Sequence, residues 1–137
     1  MRIERTRDLD TCRALRRAVF IDEQGVTEAE EWDGRDGEAL HFLGYIGDRP
    51  VATARVFREG DTGKIGRVCV LAEARGTGAG AAIMRAVIAA LRDDGADRAK
   101  LSAQTHALAF YEKLGFVAYG PEYPDAGIPH RDMVLEL

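Results

Sequence analysis

Three glycines at alternate positions, Gly76, Gly78 and Gly80, follow the apolar run VCVL and precede a segment with helical periodicity. Glycine lets successive backbone amides converge without Cβ clashes, and the N-terminus of a helix adds partial positive charge. A strand, a glycine turn and a helix in this order therefore predict a site for a phosphate or pyrophosphate group. The alternative is a tight turn in which small residues only allow close packing.

The identity of the phosphate-bearing ligand is restricted by what surrounds the glycines. Gly76, Gly78 and Ala81 satisfy the dinucleotide pattern G-x-G-x-x-G/A, but that fold expects an acidic residue at the end of the next strand to hold a ribose hydroxyl. Here the next predicted strand ends with Leu-Ser-Ala-Gln at 101–104, and the P-loop pattern GxxxxGKS/T is absent. The sequence therefore disfavours a nicotinamide-dependent enzyme and a P-loop nucleotidase.

The elements that would position this loop alternate in type, which predicts one α/β domain over residues 1–137. Apolar alternation predicts strands at 1–5, 40–46, 51–57, 64–71, 99–103, from 116 onward and at 131–137. Apolar residues at helical spacing predict helices at 9–21 with Asp8 as N-cap, at 78–94 and at 106–114. The acidic segment 22–38 is predicted to be a long ordered loop or a short helix between loops, and 125–129 a further loop.

Composition excludes several classes of protein. The chain has 137 residues, of which 46% are hydrophobic and 31% charged, and no apolar run approaches the roughly 20 residues of a membrane span. Its first residues, MRIERTRDLD, carry charge where a signal peptide needs an apolar core, so we expect a cytoplasmic location and no membrane partner. The net charge of -4 disfavours a nucleic-acid partner. Cys12 and Cys69 are expected to be reduced and structural, with no metal site.

Two ordered motifs resemble the GNAT acyltransferase superfamily. RGTGAG at 75–80 fits its R/Q-x-x-G-x-G/A signature, and AFYEKLGF at 109–116 is similar to its second signature, a helical tyrosine followed by Leu-Gly-Phe. Phe20 with Glu-Gln-Gly at 23–25, His41-Phe42, Ser-Ala-Gln at 102–104 and the tail DAGIPHRDM resemble the ElaA/YjcF-like subgroup. The resemblance implies a mixed sheet of six to seven strands flanked by helices. It also implies acetyl transfer from acetyl-CoA to a small-molecule or protein amine in a ternary complex, without a covalent acyl-enzyme.

The resemblance also implies where acetyl-CoA binds. Amides of the glycine loop would bind the pyrophosphate, Arg75 would organise the loop, and the pantetheine arm would lie along the strand that contains Val70. A backbone N–H near Val70 would polarise the thioester carbonyl. The implied cofactor-binding residues are Val68, Cys69, Val70, Arg75, Gly76, Thr77, Gly78, Ala79, Gly80 and Ala81.

The motif position of Tyr111 makes it the candidate general acid, since a phenol stays protonated at neutral pH and can donate to a departing thiolate. The structural alternative is a ring that only packs within an amphipathic helix. Many GNAT enzymes carry a basic glutamate on or beside the strand before the glycine loop, but here that strand reads KIGRVCV, with Arg67 and no carboxylate. The candidates for the general base are His41, His106, His130, Glu23 and Glu38.

The acidic segment suggests how an acceptor could bind. Its carboxylates could attract a cationic amine, with Trp32 as an apolar or cation–π wall, although charged loops are usually solvated surface and Trp32 could plug the core. The candidate acceptor-site residues are Glu23, Gln24, Trp32 and Gln104. The alternative function is a non-catalytic, regulatory acyl-CoA-binding module, and a homodimer is a possible assembly.

Overall fold

Seven strands form one mixed sheet in a computed structural model that describes residues 1–137. The order across the sheet is β1-β2-β3-β4-β5-β7-β6, and only the β4–β5 pair is parallel. The strands are β1 Arg2–Thr6, β2 Leu40–Ile46, β3 Arg49–Glu59, β4 Thr62–Val70, β5 Arg98–Gln104, β6 Val117–Asp125 and β7 Ile128–Glu136. The predicted α/β class and the mixed sheet of six to seven strands are confirmed.

Four α-helices accompany the sheet. They are α1 Leu9–Arg16, α2 Glu28–Glu31, α3 Ala79–Asp93 and α4 Leu108–Glu112, with 3-10 turns at Asp36–Glu38, Ala72–Ala74 and Thr105–Ala107. Asp8 caps α1 as predicted, since its Oδ1 accepts a hydrogen bond from the Thr11 amide at 3.1 Å. No helix is both long and apolar enough to cross a lipid bilayer.

The helices α1 and α3 cover opposite faces of the sheet. The apolar side of α3 packs in the main core with Phe42 of β2, whereas α1 packs in a smaller cluster with Leu43 of the same strand. Neighbouring residues of a strand face opposite sides, so the two helices lie on either side. The buried face of α3 consists of Ala79, Ile83, Met84, Val87, Ile88 and Leu91, which recur at helical spacing.

The strands β4 and β5 pair over only part of their length. The parallel ladder joins Thr62–Ile65 to Arg98–Leu101 and then stops, although both strands continue. On the other side of β4, Thr53 pairs with Cys69 and Arg55 with Gly66, so a bulge is inserted opposite Ala54. A bulge bends its strand, and this one turns β4 away from β5 at the point where their ladder ends.

The bulge holds Arg67 in a left-handed conformation, with φ of 52°. Such a conformation is unfavourable for a side chain as large as arginine and persists only where surrounding contacts enforce it. The side chain of Arg67 makes two such contacts, both hydrogen bonds to Glu31.

Three predictions of local structure are corrected, and the alternative left open for 22–38 is decided. The helix predicted at 9–21 changes after Arg16 into a π-helical segment, Arg17–Glu23, in which the Gln24 amide bonds to the Val19 carbonyl. The helix predicted at 106–114 is shorter, because its first turn is 3-10 and Gly115, with φ of 102°, ends it. Of the two options for 22–38, the short helix between loops is correct.

The loop predicted at 125–129 is wrong. Strands β6 and β7 are joined by a two-residue turn at Ala126 and Gly127, both with positive φ. Pro124 and Pro129 face each other across the hairpin. They are tolerated because β5 ends at Gln104, opposite His130, so this end of the hairpin has no further strand that requires their missing N–H groups.

Candidate active site

A cleft of about 940 Å³ opens where β4 and β5 separate. Its walls come from the divergent ends of β4 and β5, the glycine loop, the end of the π-helical segment, α2, α4 and the β6–β7 turn. Most candidate residues line it: Glu23, Gln24, Val68, Cys69, Val70, Arg75, Gly76, Gly78, Ala79, Gly80, Ala81, Gln104, His106, Tyr111 and His130. Thr77, Trp32, His41 and Glu38 do not.

The glycine loop presents the N-terminus of α3 to the cleft. Gly78 is the N-cap of α3 with φ of 86°, and no side chain caps the helix, so its first amides remain open to a ligand. Gly76 also has positive φ, at 81°. A Cβ on Gly80 would lie only 3.3 Å from the Phe110 ring, so this glycine is needed for close packing against α4. Thr77 is exposed, and its hydroxyl donates to the Ala74 carbonyl.

Tyr111 lies on α4 against the opposite wall of the cleft. Its ring packs edge-on against Phe110 and Phe116, with centroids 4.9 Å and 6.0 Å away. Only 9% of the residue is exposed, and burial raises the pKa of its hydroxyl to about 12, with a smaller effect from Cys69. The hydroxyl therefore remains protonated throughout the neutral pH range.

Two of the three histidines line the cleft, and each has one ring nitrogen fixed by a hydrogen bond. His130 donates from Nδ1 to the Ile128 carbonyl at 2.7 Å, which leaves Nε2 with the lone pair when the ring is neutral. His106 donates from Nε2 to Gln104 Oε1 at 2.6 Å, which leaves Nδ1 free. His41 is buried away from the cleft and donates from Nε2 to the Asp36 carbonyl. Its position therefore suits a structural role and not that of a general base.

The end of the π-helical segment reaches both sides of the cleft. Glu23 accepts two hydrogen bonds from Arg75, at 2.5 Å and 2.6 Å, which tie it to the glycine loop. Gln24 exchanges hydrogen bonds with Gln104 at the end of β5. The hydrogen bond from Arg75 lowers the pKa of Glu23, although burial opposes this effect. As an exposed ion-paired carboxylate, Glu23 is a weak candidate for the general base.

A cluster of charged residues fixes α2 beside the cleft. Arg16 Nε donates to Glu31 Oε2 and Arg16 Nη1 to Asp36 Oδ1, each at 2.8 Å, while Arg55 reaches both Asp33 and Asp36. Arg16, Glu31, Asp36 and Arg55 are all buried. The segment around α2 is therefore held by ion pairs to α1 and β3.

Arg67 joins this cluster from β4. Its Nε donates to Glu31 Oε2 at 2.9 Å and its Nη2 donates to the Glu31 carbonyl at 3.0 Å. A carboxylate is thus present beside β4 after all, but it comes from α2. This contact could not be read from the sequence, since Glu31 and Arg67 are 36 positions apart and no local pattern connects them.

The acidic segment does not form an open negative field. Arginines neutralise Glu31, Asp33 and Asp36, while Glu28 pairs with Arg17. Trp32 stands outside the cleft beneath the guanidinium groups of Arg16 and Arg17, 5.3 Å and 5.6 Å from its ring centroid. The expectation that Trp32 forms a wall for a cationic acceptor is therefore not supported by its position.

Comparison with known proteins agrees with this geometry. Residues 9–137 match the family model of the acetyltransferase (GNAT) domain. The chain belongs to the GNAT acetyltransferase family. YjcF of Bacillus subtilis strain 168, described as an uncharacterized N-acetyltransferase, is 41% identical over 89% of this chain and 88% of its own length. These findings establish the protein as a GNAT acyltransferase.

Two solved structures are also similar to this chain. Escherichia coli ElaA superposes with a TM-score of 0.89 at 30% identity, covering 99% of this chain and 100% of ElaA. The predicted ElaA/YjcF-like subgroup is confirmed. An aminoglycoside 6'-N-acetyltransferase complexed with coenzyme A shares the fold, with a TM-score of 0.78 at 18% identity, over 99% of this chain and 97% of that chain.

The charge cluster makes stability depend on pH. Burial acts to raise the pKa of Asp33, but hydrogen bonds from Arg55 and from the Arg35 amide outweigh it and lower the pKa from 3.8 to about 2. The ionised Asp33 carboxylate therefore stabilises the fold fully above about pH 4, and this contribution is lost as the pH falls towards 2. We expect Asp33→Asn to lower the unfolding free energy by about 1–2 kcal/mol at pH 7.

Urea unfolding of Asp33→Asn and the wild type at pH 7, 5, 4 and 2.5 measures this effect. The difference in unfolding free energy should shrink towards pH 2.5, because Asp33 is then protonated in the unfolded wild type and begins to take up a proton in the folded one. The control is Asp22→Asn, which removes an exposed carboxylate outside the ion pairs. A difference that stays constant across these pH values would show that Asp33 does not stabilise the fold through its charge.

Proposed function

We propose that the protein transfers an acetyl group from acetyl-CoA to a primary amine by direct attack in a ternary complex. The observation that carries this proposal is the separation of β4 from β5 directly before the glycine loop. The separation exposes backbone hydrogen-bonding groups of β4 in the same cleft as the uncapped helix N-terminus. One end of the cleft thus suits an anion, and its middle suits an extended polar chain.

The proposed position of acetyl-CoA follows from these two features. Amides at Gly78, Gly80 and Ala81 bind the pyrophosphate, and the pantetheine arm pairs with β4 between Val68 and Val70. A backbone N–H of β4 then donates to the thioester oxygen as negative charge develops there. The coenzyme A complex of the structurally similar aminoglycoside 6'-N-acetyltransferase supports the use of this fold for such a ligand.

Tyr111 is proposed to protonate the departing thiolate. It lines the cleft, and its pKa of about 12 keeps the proton available at neutral pH. Burial supports the role, because a phenol in an apolar wall donates to an anion without competition from bulk water. The acyl carbon gains the bond to nitrogen and loses the bond to sulfur, and the sulfur takes the Tyr111 proton. The proton that leaves the acylated nitrogen then restores the Tyr111 hydroxyl.

His130 is proposed to remove the proton from the attacking amine. An alkylammonium near pKa 10.4 must lose a proton first, which costs on the order of 4–5 kcal/mol at pH 7. His130 supports this step because its Nδ1–H is held by the Ile128 carbonyl, which fixes Nε2 as the proton acceptor. His106 is the second candidate, since it also lines the cleft with one free nitrogen.

Calorimetric titration with acetyl-CoA tests the cofactor site. Gly78→Glu places an acidic side chain at the proposed pyrophosphate site, and we expect it to abolish binding at concentrations that saturate the wild type. Gly47→Glu is the matched control, since Gly47 also has positive φ, at 60°, and does not line the cleft. Equal binding by the wild type and Gly78→Glu would refute the proposed position of the pyrophosphate.

Tyr111→Phe tests the general acid. We expect kcat to fall about 100-fold, with the KM for acetyl-CoA changed by less than about threefold, because only the hydroxyl is removed from a packed ring. Thiol release with an excess of an amine acceptor measures both constants. Tyr119→Phe is the control, since Tyr119 is exposed on β6 and does not line the cleft. An unchanged kcat in Tyr111→Phe would refute the general-acid role. A wild type that binds acetyl-CoA but acetylates no amine would favour the non-catalytic acyl-CoA-binding module.

His130→Gln tests the general base. We expect the wild-type kcat/KM to decline towards acid pH, because a protonated imidazole cannot accept the amine proton. In His130→Gln, kcat/KM should be about 100-fold lower at neutral pH and should follow the free-amine fraction alone, rising about tenfold per pH unit. His106→Gln serves as the comparison in the same pH series. A pH dependence that follows the free-amine fraction alone in His106→Gln, but not in His130→Gln, would transfer the role to His106.

A further inference from the structure

Arg67 lines the cleft directly before the stretch of β4 that faces the proposed thioester. Its backbone is strained, with φ of 52°, and its side chain is 25% exposed. The strain aims the guanidinium at Glu31, where two hydrogen bonds hold it. A long cationic side chain that normally samples many conformations is therefore fixed in one position on the wall of the cleft.

The guanidinium of Arg67 has hydrogen-bond donors left over. Arginine carries five N–H groups in a planar fork. Nε–H and one N–H of Nη2 lie along one edge and are used by Glu31, and Nη1 makes no hydrogen bond within the protein. Nη1 is also not among the polar atoms that are buried without a partner. Three N–H groups thus remain open. One on Nη2 and one on Nη1 lie along the outer edge, in the arrangement that binds a carboxylate through two parallel hydrogen bonds.

No carboxylate of the protein accepts a hydrogen bond from this outer edge, although Asp33 lies within ion-pair distance of it. Asp33 Oδ2 lies 3.6 Å from Arg67 Nη2, beyond hydrogen-bond distance, and both Asp33 oxygens accept from Arg55 Nη1 and Nη2 at 2.9 Å and 2.8 Å. Glu31 Oε2 already accepts from both Arg16 and Arg67. The carboxylates that could neutralise the free edge of Arg67 are therefore engaged elsewhere.

The cluster around Arg67 also carries a surplus of positive charge. It contains four arginines and three carboxylates, which gives a formal charge of +1. The members are Arg13, Arg16, Arg55, Arg67, Glu31, Asp33 and Asp36. Of the four arginines, only Arg67 lines the cleft. The cluster thus meets a ligand in the cleft through Arg67 and Glu31, beside Glu30 of the same helix.

We propose that the acceptor is an amine that also bears a carboxylate, and that the outer edge of Arg67 binds this carboxylate. This inference rests on the proposed transfer to an amine and names the class of acceptor. Glu31 is a positioning residue for Arg67, because its side-chain and backbone oxygens hold the inner edge. The apolar neighbours Val19, Phe20 and Val26 line the same cleft, so they suit the side chain of an apolar amino acid.

Acceptors that differ only in charge test the inference. Alanine, leucine and phenylalanine are compared with their C-terminal amides by thiol release from acetyl-CoA. We expect the wild-type kcat/KM to favour the carboxylates by about 10- to 100-fold, as charge-assisted bidentate hydrogen bonds would give. Arg67→Gln should reduce this preference to less than about threefold, with the Kd for acetyl-CoA unchanged.

Two further variants separate recognition from folding. Arg67→Lys retains the charge without the planar fork and should show an intermediate preference. Arg17→Gln removes an arginine that pairs with Glu28 and does not line the cleft, so its preference should equal that of the wild type. Circular dichroism and thermal unfolding show which variants are folded. A preference retained in folded Arg67→Gln, or no preference in the wild type, would overturn the inference.

Direct binding distinguishes this inference from the proposed function. N-acetylleucine and N-acetylleucinamide are titrated calorimetrically into the protein saturated with CoA. We expect N-acetylleucine to bind the wild type at least tenfold more tightly than Arg67→Gln, and the amide to bind both equally. If this pattern is found but no amine is acetylated, the carboxylate site stands and the proposed reaction fails. If amines are acetylated but the amide binds as tightly as the acid, the reaction stands and the carboxylate site fails.

Discussion

The divergence of β4 from β5 is the constraint on which the rest of the site depends. Parallel strands normally pair along their full length and leave no backbone groups for a ligand, whereas here four residue pairs hold the strands together before the bulge separates them. The glycine loop and α3 follow directly at the end of β4. The cleft, the open strand edge and the helix N-terminus therefore arise from one local change of direction, at the carboxyl end of the strands where α/β folds usually bind ligands.

The charge cluster has a different role from the core. A four-residue helix such as α2 has no stability of its own in water, and buried ion pairs add little net stability because desolvation offsets their attraction. Their value here is geometric, since Arg16 and Arg55 anchor α2 from α1 and β3. The polar atoms Arg16 Nη2 and Arg55 Nε remain buried without partners, which is a cost of this arrangement.

The parts of the site that the sequence predicts are those with a local cause. The glycine loop is recognisable because positive φ and an uncapped helix N-terminus are requirements on adjacent residues. The motif AFYEKLGF at 109–116 is likewise one contiguous stretch. The position of Trp32 could not be predicted, because it depends on Arg16 and Arg17 across a turn. Likewise, His41 looks the same in sequence as His106 and His130, and only the fold removes it from the cleft.

The π-helical segment Arg17–Glu23 determines which side chains cross above the cleft. A π-turn acts as one extra residue within a helix, and each residue of an α-helix advances by about 100° around the axis. Without that residue, the chain would leave α1 rotated by this angle, and Glu23 and Gln24 would no longer face Arg75 and Gln104. The length of this segment, rather than the chemistry of its residues, therefore sets the orientation of Glu23 and Gln24 relative to the glycine loop on one side of the cleft and the end of β5 on the other.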